Sequence, residues 1–166
     1  TILMTLWLLL TLVSFATAYG FYRNLYFMMA LGVLLAAGIF YNVPPVRMKD
    51  IPYLDSTLES ANNPIRFLIG WHIMTTSFPP VSLLLSWWAF GNFLMVAKRL
   101  SEFRLLRDKA GRYRRSLQRY TKRSLLIGMA LSAAVFFVTY FLFAQAVHLQ
   151  SFLFLSPLVV FYFFIF

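Results

Sequence analysis

The sequence predicts an all-α fold, a polytopic bundle of transmembrane helices, and three observations support this prediction. Of the 166 residues, 61% are hydrophobic and only 12% are charged, and the mean hydropathy is +0.73. Soluble domains are about half apolar and about a quarter charged, so lipid must surround much of this chain. The apolar runs are continuous and lack the alternation of a barrel strand, which favours helices. The composition excludes a disordered chain, a soluble nucleotide-binding enzyme and, because cysteine is absent, a secreted disulfide scaffold.

Six apolar runs are long enough to be candidate spans, and we expect residues 1–166 to form a single transmembrane domain. The runs are Ile2–Ala18, Leu25–Tyr41, Pro64–Ser77, Val81–Ala97, Leu125–Val147 and Phe152–Phe166. The third run is short and contains Arg66 and His72, so it must extend into the polar segment before it or face the protein interior. Pro64 predicts a kink or a new helix start capped by Asn62 or Asn63. Because both ends of the chain lie within apolar runs, we expect a fragment of a longer protein.

Basic residues are concentrated in one loop. The net charge is +10, and eleven of the fifteen Lys and Arg residues lie between Lys98 and Arg123. The positive-inside rule places this loop, about 98–123, in the cytoplasm, and counting back two spans places the loop of about 42–63 on the same side. We therefore expect a multi-pass protein of the cell inner membrane with both polar loops cytoplasmic. Anionic lipid is the expected partner of the outer basic residues, and nucleic acid is not expected because spans flank the loop.

The first polar loop carries Arg47 and Lys49 within a segment that contains three prolines. Proline fixes φ and removes a donor, so no regular helix is expected across positions 42 to 52. Two cations two residues apart suit a phosphate group. They could also anchor the loop to anionic lipid, and the sequence leaves both interpretations open.

A polar stripe follows the first loop. Asp55, Glu59, Asn62 or Asn63, and Arg66 recur at helical intervals, and the stripe continues into the third apolar run. Polar and charged side chains cost several kcal/mol facing lipid, so we expect them to line a cavity that water or a polar ligand can enter. The alternative is an internal ion pair between Glu59 and Arg66 that only fixes helix packing.

The second loop begins within a predicted helix end. Lys98 and Arg99 lie four and three residues before Glu102, so the three side chains share a face. Glu102 can therefore bind a metal, orient a phosphate or only bridge the two cations. The two histidines, His72 and His148, lack the spacing of metal ligands, and we expect them to have packing or interfacial roles.

Together these segments resemble the UbiA superfamily of intramembrane polyprenyl transferases. The first loop and the helix after it carry the resemblance in Tyr41-Asn-Val-Pro-Pro-Val-Arg47-Met-Lys49, Pro52-x-Leu-Asp55, Arg66 and Gly70. The second loop is similar to the branch that contains decaprenyl-phosphate phosphoribosyltransferase, in Lys98-Arg99-x-x-Glu102, Arg114 and Tyr120-Thr121.

The resemblance implies a nine-helix bundle, of which this chain would hold about helices three to eight. It implies transfer of a prenyl group from a polyprenyl diphosphate to a lipophilic acceptor, with Mg²⁺ as cofactor and with the prenyl chain in an apolar groove. We expect the chain to be inactive, because it would be only a fragment of the transferase. Two alternatives remain open: phosphoribosyl-type transfer to a polyprenyl phosphate, and a non-catalytic scaffold whose basic loop binds anionic lipid.

The resemblance also implies roles for particular residues. Glu102 and Asp55 are the candidate catalytic carboxylates, and Glu102 with Asp108 forms the candidate metal site. The candidate substrate- and phosphate-binding residues are Tyr41, Arg47, Lys49, Glu59, Asn63, Arg66, Lys98 and Arg99. Cations suit this role because negative charge develops on the phosphate oxygens as the bond to the prenyl carbon breaks.

Overall fold

A computed structural model describes residues 2–106 and 113–147, together with residues 160 and 162. Within this part of the chain the structure is all-α, with five helices and no strand. The helices are α1 Ile2–Tyr22, α2 Leu25–Asn42, α3 Leu54–Met74, α4 Val81–Leu106 and α5 Lys122–Ala146. Two short 3-10 turns, Met48–Asp50 and Arg115–Arg119, lie in the two polar loops.

Four of the described helices, α1, α2, α4 and α5, are long and apolar enough to cross a membrane, so the chain is a membrane protein. The predicted run Pro64–Ser77 is not among these four. Most of it is the second half of α3, which extends into the polar segment before it, as expected; the 21 residues of α3 would reach across a bilayer, but its first half is too polar for a span by composition. The predicted sixth span, Phe152–Phe166, lies outside the described residues apart from residues 160 and 162.

The helix α3 continues through Pro64, so the predicted new helix start at Asn62 or Asn63 is wrong. A proline inside a helix costs about 3 kcal/mol, and packing on both sides offsets this cost. On one side α3 packs against α2, and on the other it approaches α4 so closely that a Cβ added at Gly91 would meet the amide of Asn63.

Hydrogen bonds join α2 and α3 at both ends. Asn24 caps α2 and also donates from Nδ2 to the carbonyl oxygen of His72 at 2.7 Å. At the other end, the Tyr41 hydroxyl donates to Glu59 Oε2 at 2.9 Å. The two helices are therefore antiparallel and cover the same depth. His72 is buried with its ring stacked on Tyr26, which confirms a packing role, whereas His148 lies outside the described residues.

The apolar core lies where α4 meets α5, near the end of the bundle that carries the polar loops. Phe93, Val96 and Leu100 of α4 pack there with Leu125 of α5. The basic loop contributes to the same core, because Leu117 and Tyr120 are buried in it. The second loop therefore folds over the end of the bundle, and these two side chains are not available to insert into lipid. The Thr121 side chain begins α5 with a capping box that it shares with Ser124.

The first helix, α1, packs on α2 and, in the described part of the chain, exposes most of its apolar side chains. Three of its hydroxyl groups are bonded within the helix: Thr11, Ser14 and Thr17 each donate to a carbonyl oxygen one turn earlier, at 2.8, 2.7 and 2.7 Å. A helix whose polar groups are internally bonded suits a hydrocarbon environment.

Candidate functional site

Charged side chains converge at one end of the bundle, which we call the charged end. There α2 and α4 finish, α3 and α5 begin, and the two polar loops cross. Six side chains form a connected set that we call the charged network: Asp55, Glu59, Lys98, Arg99, Glu102 and Arg114. It contains three acids and three bases, so the network is close to neutral.

Arg99 lies at the centre of the charged network and has no exposed surface. Its Nε donates to Asp55 Oδ2 at 3.0 Å and its Nη1 to Glu102 Oε2 at 2.7 Å. Its Nη2 donates to Glu59 Oε2 at 2.6 Å. The planar guanidinium has five N–H donors, so one side chain can serve three carboxylates from two helices. Burial of such a charge is tolerable only because all of its partners are in place.

Asp55 is also completely buried and accepts more hydrogen bonds than Arg99 alone supplies. Ser116 Oγ donates to Oδ2 at 2.9 Å, Tyr120 Oη donates to Oδ1 at 2.6 Å, and Arg114 Nε lies 3.4 Å from Oδ2. These three residues belong to the second loop. Asp55 therefore joins the start of α3 to a loop that follows about sixty residues later in the sequence.

Tyr120 is held between Asp55 and the first loop. Its hydroxyl accepts the backbone N–H of Tyr53 at 2.6 Å while it donates to Asp55. Tyr53 has a φ of 69°, a strained conformation for a residue with a side chain, and it immediately precedes α3. Burial, followed by the hydrogen bond to Asp55, raises the pKa of Tyr120 well above its ordinary value, so the phenol remains a donor.

Glu59 and Arg114 extend the network toward solvent. Lys98 Nζ lies 3.7 Å from Glu59 Oε1, and Arg114 Nη2 lies 4.0 Å from Oε2. Arg114 also donates to the Tyr41 hydroxyl at 2.5 Å and to the carbonyl oxygen of Lys49 at 3.3 Å. Arg114 therefore contacts the buried network and the first loop at the same time.

An open cleft of about 480 Å³ lies over Arg114, between the two loops. We call it the cationic cleft; its lining residues are Arg47, Lys49, Asp50, Tyr113, Arg114 and Arg115. Arg47 Nε contacts Asp50 Oδ2 at 3.2 Å on the exposed surface, and Lys49 Nζ donates to Asn42 Oδ1 at 3.1 Å. Four basic side chains against one acid make this cleft positive, so it can bind an anion at the end of the bundle.

The structure brings most of the predicted site residues together, in two groups. Tyr41, Asp55, Glu59, Lys98, Arg99 and Glu102 belong to or contact the charged network. Arg47 and Lys49 line the cationic cleft instead. Asn63 lies deeper, against Gly91, and Asp108 lies outside the described residues.

Arg66 lies apart from both groups. It is exposed, and the predicted alternative of an ion pair with Glu59 is not formed, because Glu59 pairs with Arg99 and Lys98. Arg66 still shares a helix face with Asp55, since eleven residues are about three turns. The described residues of the second loop that contact this face, Ser116 and Tyr120, do so at its beginning, where Asp55 lies.

The described carboxylates do not form a metal site in the structure. Asp55, Glu59 and Glu102 converge on the guanidinium of Arg99, and no group of three or more His, Asp or Glu residues in the described ranges is placed to hold an ion. With Asp108 beyond those ranges, Mg²⁺ remains a prediction from the resemblance.

Sequence reasoning did not assign site roles to Ser116, Arg114, Arg115 and Tyr120. The signal for two of them was present, because Arg114 and Tyr120 are part of the second-loop pattern that resembles the transferases. The loop around them is irregular, so helical spacing could not show that they face Asp55. Ser116 gave no signal in the sequence.

Comparison of this chain with protein-family models, with curated proteins and with solved structures found no match. The likeness to UbiA transferases thus rests on the two loop patterns. In the structure both loops line one positive cleft. Arg114, which belongs to the charged network beneath it, is hydrogen-bonded to Tyr41 and to the backbone of Lys49, so the network also contacts the first loop.

Proposed function

We propose that this chain is part of a membrane-embedded transferase resembling the UbiA superfamily, and that it binds the phosphate of a polyprenyl phosphate or diphosphate in the cationic cleft. The observation that carries the proposal is the convergence of both loops: Arg47 and Lys49 come from the first, and Arg114 and Arg115 from the second. A fold that only anchored each loop to lipid would not need to bring them together.

The position of the cleft supports a lipid substrate. It lies at the end of helices that are apolar enough to span a membrane, so a lipid whose chain is in the bilayer would present its phosphate at this level. Arg114 belongs to both the cleft and the charged network beneath it. When it is counted once, the two together contain six bases and four acids, so a net positive charge remains. Preorganised cations of this kind stabilise charge that develops on leaving phosphate oxygens.

In the proposed reaction, the bond between the prenyl carbon and the diphosphate oxygen breaks and its electron pair leaves with the diphosphate. The acceptor atom forms a bond to that carbon and releases its proton to water. Lys49 and Arg115 would bind the departing diphosphate, while Arg114 would hold the loops in place. The resemblance adds Mg²⁺, with Glu102 and Asp108 as its candidate ligands; Glu102 would have to leave Arg99 to bind the ion, which would supply further positive charge near the diphosphate.

A second candidate is phosphoribosyl-type transfer to a polyprenyl phosphate, and one observation favours it. The carboxylates of α3 and α4 are bound to Arg99, so this region presents cations rather than free carboxylates. Cations suit two phosphorylated substrates better than they suit a second diphosphate bound through a metal.

The test compares two pairs of charge removals in the full-length protein. The variant Lys49→Ala/Arg115→Ala removes two cleft cations, and the control Arg119→Ala/Arg123→Ala removes two exposed bases of the same loop region outside the cleft. One assay uses radiolabelled farnesyl diphosphate with a membrane lipid extract as the source of the acceptor, and the other uses farnesyl phosphate with a phosphoribosyl donor. In the assay that gives product, we expect the cleft variant to lose at least 10-fold in radiolabelled product and the control less than 2-fold. Normal turnover in the cleft variant would contradict the proposal.

The same two variants also test the alternative that the protein is a non-catalytic scaffold. A protein that only docks on anionic lipid would lose vesicle binding equally in both variants, because surface attraction depends on the number of charges and not on their arrangement. That result, together with turnover unaffected by the cleft variant, would favour the scaffold.

A further inference from the structure

One basic side chain lies at the opposite end of the described bundle, away from the charged network. Arg23 occupies the two-residue turn between α1 and α2, and it is exposed. The positive-inside rule, which accounts for the basic loop, does not account for this residue. The described acids all lie at the charged end; they are Asp50, Asp55, Glu59 and Glu102. Arg23 is therefore a cation without a carboxylate partner in the described ranges.

The backbone holds Arg23 in an unusual conformation. Its φ is 43°, in the left-handed region that glycine or asparagine adopts at lower cost. The next residue, Asn24, fixes the turn, because its Oδ1 accepts the N–H of Tyr26 at 3.0 Å and its Nδ2 donates to the carbonyl oxygen of His72. An arginine is thus kept in a turn that disfavours it, beside the end of α3, which indicates a role for its side chain.

An open pocket of about 470 Å³ is lined by Arg23 and by the end of α3 with the hydroxyl-bearing Thr75 and Thr76. Its volume is in the range of ligand pockets, about 300–1,000 Å³. The turn after α3 is held in place, since Thr75 Oγ1 accepts the N–H of Ser77 at 3.1 Å and Trp71 Nε1 donates to the carbonyl oxygen of Ser77 at 2.8 Å. The pocket therefore presents a cation and hydroxyl groups from two fixed turns, a combination that suits an anion.

A smaller, apolar pocket of about 190 Å³ adjoins the first, because His72 lines both. It lies between α2 and α3, with Tyr26 and Met29 from α2 and Ile65 from α3. The buried ring of His72 stacks on Tyr26, with 5.3 Å between the ring centroids. From His72 back to Ile65 is about two helical turns, so this pocket extends roughly 10 Å from the end of α3 toward its middle. A polar site at the end of the bundle is therefore followed by an apolar site further in.

We propose that the two pockets together bind a phospholipid of the leaflet at this end, with its phosphate at Arg23 and part of an acyl chain beside Tyr26 and Met29. The order of the sites matches that of a phospholipid, in which an anion at the surface is followed by hydrocarbon. The level also matches, since α2 is long and apolar enough to span a membrane and begins at this pocket. The bound lipid would supply the anion that Arg23 lacks.

This inference does not depend on the proposed transferase function. The cationic cleft lies at the charged end, and the 21 residues of α3 separate the two ends by about 30 Å. A phosphate in the cleft and a phosphate at Arg23 therefore belong to two different molecules.

The test measures where a phospholipid probe binds. The full-length protein in a maltoside detergent, which has no phosphate, is incubated with phosphatidylglycerol that carries a photoreactive group on an acyl chain. We expect labelling of residues 26–33 and 65–78, and at least 5-fold less labelling of them in Arg23→Gln. The matched control, Arg104→Gln, removes an exposed charge at the charged end and should change this labelling less than 2-fold. Labelling of the exposed residues 8–13 of α1 reports ordinary contact with lipid and should be equal in all three proteins.

Matched probes identify the chemistry of the ligand in the unaltered protein. A photoreactive diacylglycerol has the chains but no phosphate, and it should label the pocket at least 5-fold less than phosphatidylglycerol does. Equal labelling by the two probes, or equal labelling of Arg23→Gln and the unaltered protein, would overturn the inference. Displacement of the probe by an equal concentration of glycerol phosphate would identify a soluble phosphate ester as the ligand, and displacement by a tenth of that concentration of farnesyl phosphate would identify the prenyl substrate. Either result would also overturn it.

Discussion

Arg99 can be fully buried because three carboxylates surround it, and each carboxylate in turn depends on Arg99. Removing one member of such a set leaves uncompensated charge in a low-dielectric environment, which costs more than the favourable interaction alone. The sequence predicted that Glu102 lies beside Lys98 and Arg99, because all three residues share one helix face. It could not predict that Asp55 and Glu59 complete the set, because they lie about forty residues earlier on another helix.

We therefore predict that Arg99→Met lowers the free energy of unfolding by about 3–5 kcal/mol, because three carboxylates would lose a buried partner. Arg104→Met is the control, since Arg104 is exposed on the same helix, and its effect is expected to stay within about 0.5 kcal/mol. Denaturant titration in detergent measures both. Adding Glu102→Gln to Arg99→Met should recover part of the loss, and an additive further loss would contradict the network.

Tyr120 predicts a dependence of stability on alkaline pH. Its pKa is raised in the folded protein by burial and by Asp55, so the folded state keeps a proton that the unfolded state releases above about pH 10. Stability should therefore fall as the pH rises above 10. Unfolding measured between pH 9 and 11.5 should show a shallower decline for Tyr120→Phe than for the unaltered protein, and equal slopes would exclude this role.

Among the helices, α3 shows how far helical periodicity can predict a site. The spacing correctly placed Asp55 and Glu59 on one face, and Arg66 shares that face. Periodicity does not show what covers a face. The second loop covers Asp55 through Ser116 and Tyr120, whereas Arg66 remains exposed about 16 Å further along the helix axis.

The close contact between α3 and α4 leads to a prediction about Gly91. Because a Cβ at Gly91 would meet Asn63, a large side chain there must separate the two helices. Gly91→Leu is expected to destabilise the protein by about 1–3 kcal/mol or more, and to weaken the ion pairs between Arg99 and α3. Gly70→Leu is the control, since Gly70 is exposed with open space around it. Equal thermal unfolding of the two variants would show that α3 and α4 are not in close contact.

At the scale of the whole molecule, composition and charge predicted more of the arrangement of the helices than any sequence motif did. Four predicted spans coincide with apolar helices, because crossing a membrane needs only length and apolar composition. The third run belongs to α3, which extends into the polar segment before it, as expected. The helix is not among the four because its first half is too polar, and it packs between α2 and α4. Both polar loops lie at the same end, as counting the spans predicted, because α2, α3 and α4 alternate in direction.

The absence of cysteine makes the orientation of this bundle directly testable. Val46→Cys and Arg119→Cys introduce thiols on the two polar loops at the charged end, and Thr76→Cys introduces one in the turn between α3 and α4 at the opposite end. The excess of Lys and Arg predicts that the charged end is cytoplasmic. A membrane-impermeant maleimide should then label only Thr76→Cys in intact cells, and the two loop variants only after permeabilisation. Labelling of either loop variant in intact cells would place a polar loop outside, where it could not meet a cytoplasmic phosphorylated substrate.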